Sequence, residues 1–139
     1  MDELAAKIAC EQISEEQLEE LVATMHEFEE STKTDNVKKI AEADVKFHDI
    51  IYQSTGNPKL VNMLNNLREQ MYRYRVEYLK EEQTRNLLVS EHEELVKAIR
   101  EGDVQKAQDI SFHHLENQRK AIIRTIRAEN EAKEAEKKE

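Results

Sequence analysis

Asp44 and His48 stand four residues apart in a stretch whose apolar members are Val37, Ile40, Ala41, Phe47 and Ile51. At about 100° of turn per helical residue, those five define one buried arc. Asp44 and His48 fall in its middle, stacked on the same face. His92 interrupts a second arc made by Leu88, Leu95 and Ile99. His114 interrupts a third, made by Val104, Ala107, Ser111, Leu115, Gln118 and Ile122. A buried carboxylate without a partner is unfavourable by several kcal/mol, or takes up a proton. One divalent cation would satisfy the Asp oxygen and a lone pair of each neutral imidazole, and helical bundles build metal sites this way from inward side chains on facing helices. Three His and one Asp suit Zn²⁺, Ni²⁺, Mn²⁺ or Fe²⁺ better than Ca²⁺ or Mg²⁺, which prefer oxygen alone. Four such ligands could close a tetrahedron or leave two octahedral positions open, and the sequence does not choose between these.

Blander roles remain open for each residue. A single His on an apolar face is commonly a hydrogen-bonded core residue, and Asp44 with His48 alone fits an intrahelical pair. What favours a shared site is the same anomaly on three separate helices. His113 turns off the arc that holds His114, and His26 beside Met25 suits the surface or a helix end. Cys10, the only cysteine, lies in the apolar run Ile8-Ala9-Cys10 and reads as a buried structural thiol.

The elements that must position these groups are helical. Only 2 Gly and 1 Pro occur in 139 residues, too few to punctuate a sheet. The balance of 37% charged and 38% hydrophobic residues suits amphipathic helices that each bury one stripe. The first helix spans about Asp2 to Gln12 and begins uncapped, as a helix entered partway would. Ser14-Glu15-Glu16-Gln17 is a capping box that opens the second. The third runs from Asp35 or Asn36 to about Ser54. Thr55-Gly56-Asn57-Pro58 then breaks the chain, with Gly56 suited to a left-handed C-cap, Asn57 to an N-cap and Pro58 to the first helical position. The fourth helix runs to about Lys80, with Leu60, Leu64, Leu67, Met71, Tyr74 and Tyr78 facing inward. The fifth covers about Thr84 to Glu101; Gly102 ends it and Asp103 caps the sixth, which reaches about Ala128. The predicted architecture is therefore all-α, an antiparallel bundle of about six helices in one domain over residues 1–128, with a charged tail over 129–139.

A formal net charge of −9 argues against direct nucleic-acid binding, which rests on Lys and Arg meeting phosphates. No run approaches the ~18 apolar residues of a membrane span. No signal peptide stands at the N-terminus, and a lone cysteine gives no reason to expect secretion, so a cytoplasmic location is expected.

The motifs in order resemble a known family. Asp44-Val45-Lys46-Phe47-His48 and Ser54-Thr55-Gly56-Asn57-Pro58 resemble the D-x-x-F-H … G-N signature of the FCD domain, the ligand-binding C-terminal half of GntR-type transcription regulators of the FadR subfamily. Arg73-Tyr74-Arg75 with Leu79, Glu91-His92-Glu93-Glu94-Leu95 with Ala98-Ile99 and Gly102-Asp103, and His114-Leu115-Glu116-Asn117 extend the match from about Glu3 to Ile123. Each motif is weak; the ordered set is specific. The resemblance implies a helical bundle that binds a divalent metal through Asp44, His48, His92 and His114, unlike the metal-free, acyl-CoA-sensing branch. It also implies a small organic acid as effector and a homodimer. Complete regulators of this kind carry an N-terminal winged-helix DNA-binding domain, which this sequence lacks, so either an excised effector domain or a stand-alone relative is expected.

A carboxylate effector needs a cation, and Arg offers a two-pronged match. Arg75 and Arg68 border the apolar arc of the fourth helix, whereas Arg73 points away; a rim salt bridge is the competing role for both. Tyr74, Tyr78 and Asn117 could line the same cavity, with core packing the simpler role for the tyrosines. The competing function is a metal-dependent hydrolase, since His48-Asp49 looks like the HD dipeptide of helical phosphohydrolases. Asp49 turns off the buried arc, however, and no second Asp-bearing segment fits. None of the five His has the Glu three residues earlier that a di-iron bundle needs. A non-enzymatic sensor is therefore expected.

Overall fold

The computed structural model describes residues 2–138, with side chains described over 4–136. Among the described residues six helices follow one another: α1 (Asp2–Gln12), α2 (Glu15–Ser31), α3 (Val37–Ser54), α4 (Pro58–Leu79), α5 (Glu82–Glu101) and α6 (Val104–Lys138). No strand occurs among the described residues. Local chemistry sets the boundaries. The Ser14 hydroxyl accepts from Gln17 N at 3.1 Å and the Gln17 side chain accepts from Ser14 N at 3.2 Å, the reciprocal capping box that the sequence announces. The Asn57 side chain accepts from the amides of Lys59 and Leu60, with Pro58 at the first helical position. Gly102 ends α5 at φ +69°, a conformation that a side chain would strain. At the α4–α5 corner the buried Arg85 donates to the carbonyls of Leu79 and Lys80, which α4 leaves without helical partners.

Short connections fold consecutive helices back, so that α2 packs on α3, α3 on α4, α4 on α5 and α5 on α6, while α1 lies against α6, α3 and α5. The buried apolar side chains form two clusters. One joins α1 to the later parts of α3 and α5 and includes Ala6, Phe47, Ile51, Leu95, Ile99 and Ala107. The other lies at the opposite ends of those helices and includes Phe28, Ile40, Ala41, Tyr78, Leu88 and Ala121. Along α3, α5 and α6 the residues between the two clusters are polar: Asp44 and His48, His92, and Ser111 with His114. The fold is thus two apolar layers with a polar layer between them.

Several expectations differ from the fold. The sixth helix continues past Ala128 to Lys138, through the charged stretch expected as its solvated end. No Gly or Pro follows Gly102, and Ala, Glu and Lys are strong helix formers, so nothing in the chain ends it earlier. Arg73 of α4 pairs with Glu129 inside the stretch assigned to the tail. Leu67 and Met71 are not buried: they are 45% and 41% exposed, form a stripe along α4 with Met63 at 53%, and line the open groove between α4 and α6. The stripe repeats every four residues, so periodicity signals an apolar face without saying what covers it. Helix α5 starts at Glu82, two residues before the expected Thr84. Cys10 is half-buried against the first cluster, and burial pushes its thiol up, away from the reactive thiolate.

Truncating the fully buried Leu21 to Ala should destabilise the domain by about 2–5 kcal/mol, because the surrounding helices cannot collapse onto the cavity. Asn57→Ala removes only a cap and should destabilise by about 1 kcal/mol. Urea unfolding of the two variants checks the ranking; equal losses would contradict the assignment of Leu21 to the core.

Candidate metal centre

The polar layer converges on one carboxylate oxygen. On α3, one helical turn brings His48 Nε2 to 3.3 Å from Asp44 Oδ1. From α5, His92 Nε2 comes to 3.1 Å from the same oxygen. All three residues are buried, and their ligand atoms lie within 4.8 Å of one another. Asp44 Oδ1, His48 Nε2 and His92 Nε2 have no hydrogen-bond partner. They are close, yet not aligned for hydrogen bonding to one another. Buried polar atoms are nearly always satisfied, so three such atoms within 4.8 Å of one another are a candidate place for a further group. Neutral imidazole nitrogens and one carboxylate oxygen are the donor set of a borderline divalent cation, and the cluster could hold one.

Packing fixes the imidazoles. The Phe47 ring stacks on His92 with centroids 4.0 Å apart, and Phe28 lies tilted against it at 4.5 Å. Burial pushes the His92 imidazole down to about 4, so it is neutral near pH 7, as a metal ligand must be. Burial would raise the Asp44 carboxyl, but His48 and Arg75 outweigh it and hold the group well below the usual carboxylate range. Arg75 Nη1 of α4 stands 3.2 Å from Asp44 Oδ2, leaving Oδ1 to the histidines.

His114 lies beside this group and outside it. Its ring centroid is 5.4 Å from that of His48. Its Nδ1 is 2.7 Å from Glu91 Oε2 and its Nε2 is 3.1 Å from Gln118 Nε2. His48, His92, His114 and Glu91 line a partly open space of about 20 Å³, enough for one water-sized group.

The residues expected to bind a carboxylate separate into two places. Arg68 and Arg75 line a groove of about 300 Å³ between α4 and α6, together with Tyr52 and Gln118. Arg68 is also held by Asp49 at 2.6 Å and faces the Tyr52 ring. Tyr78 and Asn117 line a second groove of about 520 Å³, beside Arg124 and Arg127. Burial and Glu91 push the Tyr78 phenol up to about 12. The Asn117 amide donates to Glu91 Oε1 at 3.4 Å, so it reaches the polar layer only through that carboxylate. Asp49, the second half of the HD dipeptide, sits on the rim with Arg68 and stays out of the cluster. His26 and His113 are exposed.

Two participants carry no role in the sequence-based assignment. Glu91 precedes His92 and points to α6, where it meets His114. Gln118 counts among the arc-defining residues of the sixth helix, yet its amide meets His114. A polar residue four positions after His114 on a buried arc was the available signal.

A buried cluster of Asp and His between two apolar layers of an all-helical bundle defines a candidate ligand-binding domain with a metal-type donor set. The FCD domain family model matches residues 1–117, and the chain belongs to that family. FCD domains are effector-binding regulatory domains of GntR-type regulators and not enzymes. No curated protein matches the chain. Among the described residues, no helix is long and apolar enough to cross a membrane.

In the metal-free protein, His92 stays neutral to about pH 4, whereas in the unfolded chain it takes its proton near 6.5. The unfolded state therefore binds more protons between those values. Stability should fall as the pH drops from about 6.5 to about 4, by on the order of 3 kcal/mol from this residue. The depressed Asp44 adds a further loss only below about pH 4. Urea titrations of metal-stripped protein across the interval read this, and a midpoint that does not move contradicts a buried neutral His92.

Proposed function

We propose that this chain is the sensor domain of a GntR-type transcription regulator and binds one divalent transition metal, of the Zn, Ni, Mn or Fe class, through Asp44, His48 and His92, with His114 as the fourth ligand. The observation that carries this reading is the set of three orphaned atoms around Asp44 Oδ1 in a chain of the FCD family. When bound, the metal supplies a fixed positive charge that an anionic ligand can share. Asp44 and His48 offer ligands from one turn of α3, His92 is held in place by the Phe47 ring, and Arg75 places its charge 3.2 Å from the second Asp44 oxygen.

The effector in this reading is a small organic acid. The Arg68 and Arg75 groove supports it, because both guanidiniums are largely buried there and each keeps further N–H donors for a carboxylate. Asn117 and Tyr78 belong to the second groove and to the setting of Glu91. Ligand binding shifts helix packing only so far as it favours one packing over another, and in the full regulator that shift would be passed to a separate DNA-binding domain. This chain is not the DNA-reading part: its net charge of −9 is unfavourable for phosphate contact. A homodimer belongs to this reading as an expectation for a regulator of the FCD family. A cytoplasmic location follows from the regulatory role.

Elemental analysis of the purified protein should find close to one equivalent of transition metal. Stripping the metal should lower the melting temperature, and Asp44→Asn should abolish uptake. A carboxylic acid at 100 times its Kd should stabilise the loaded protein by about 2.7 kcal/mol. That stabilisation should vanish in Arg68→Ala while metal content is unchanged. A wild-type protein that takes up no metal contradicts the reading.

A further inference from the structure

The hydrogen bonds of His114 define which of its nitrogens is available. Glu91 is a carboxylate and only accepts, so the contact at 2.7 Å places a proton on His114 Nδ1. The neutral ring then carries its lone pair on Nε2, the nitrogen a metal would use. That lone pair is already taken: the Gln118 side-chain amide donates to it at 3.1 Å from one turn further along α6. The same Gln118 lines the groove of Arg68 and Arg75. One side-chain amide therefore stands between the carboxylate groove and the cavity that His114 shares with His48 and His92.

We propose that Gln118 is a positioning residue that couples the two sites: its amide is bonded either to His114 Nε2 or to a carboxylate held by Arg68 and Arg75, so that filling the groove frees His114 to join Asp44, His48 and His92. Glu91 keeps the tautomer correct in both states, and Asn117 holds the other Glu91 oxygen. Carboxylate and metal affinities are then linked in both directions, even where the carboxylate does not itself touch the metal. The inference rests on the metal-binding reading above.

The test is Ni²⁺ titration by calorimetry of the wild-type protein and Gln118→Met, each with and without saturating succinate. Methionine keeps the length of the side chain and removes the donor. Without succinate, the variant should bind Ni²⁺ about fivefold tighter than wild type, the worth of one neutral hydrogen bond. Succinate should tighten Ni²⁺ binding to wild type several-fold and leave the variant unchanged. A residue that only packs the core would weaken the site when replaced, or leave it alone. The coupling is overturned if succinate leaves the wild type unmoved, if both proteins respond equally, or if the variant binds no tighter. The ¹⁵N shifts of His114 in metal-free protein give an independent readout: a bare Nε2 supports the arrangement and a proton there overturns it. A wild type that ignores Ni²⁺ with and without succinate overturns the metal reading and the coupling together, whereas one that binds Ni²⁺ with no succinate effect overturns the coupling alone.

Discussion

Everything in this bundle is arranged around one ionised carboxylate kept from water. Asp44 is 1% exposed, and burial alone would drive it to take up a proton. It stays charged because Arg75 faces one oxygen and two imidazoles face the other. Arg75 Nη1 stands 3.2 Å from one side of the group as a charge, without completing a hydrogen bond to it. Asp44 Oδ1 and the Nε2 atoms of His48 and His92 make no aligned hydrogen bond, so the compensation within the protein is incomplete. A buried network left partly satisfied is destabilising unless another group completes it. The polar layer is therefore a candidate binding site.

The two apolar clusters follow from the same constraint. They close the layer from either end and keep water away from Asp44, which strengthens each electrostatic contact there. They also supply the walls. Phe47 belongs to the first cluster and Phe28 to the second, and the two rings hold His92 between them. Helix α1 lies against α3, α5 and α6 and brings Ala6 to the wall of the partly open space. A small residue there leaves room beside the imidazoles.

Much of this was legible in the sequence because helical periodicity is strong where one face is fully buried. Asp44 and His48 on α3 and His92 on α5 stand out as polar residues on apolar arcs, and the caps at Ser14, Asn57 and Gly102 mark the boundaries. Periodicity says less where burial is partial. Leu67 and Met71 share the apolar pattern of α4 but line an open groove instead of the core. The end of α6 carries no breaker, so its length had no local signal. Contacts between helices are not encoded in any single stretch. Glu91 lies about 100° around α5 from His92, and only the packing of α5 on α6 brings it to His114. Gln118 looked like an ordinary member of an arc because its partner, one turn away, had already been assigned another role.

The central claim is that Asp44, His48 and His92 face a common cation. An anomalous-scattering map from crystals of the zinc-loaded protein tests it most directly. The account predicts a single strong peak about 2.0–2.2 Å from Asp44 Oδ1, His48 Nε2 and His92 Nε2. A map with no peak there, showing instead a water hydrogen-bonded to all three atoms or a metal bound elsewhere, would contradict it.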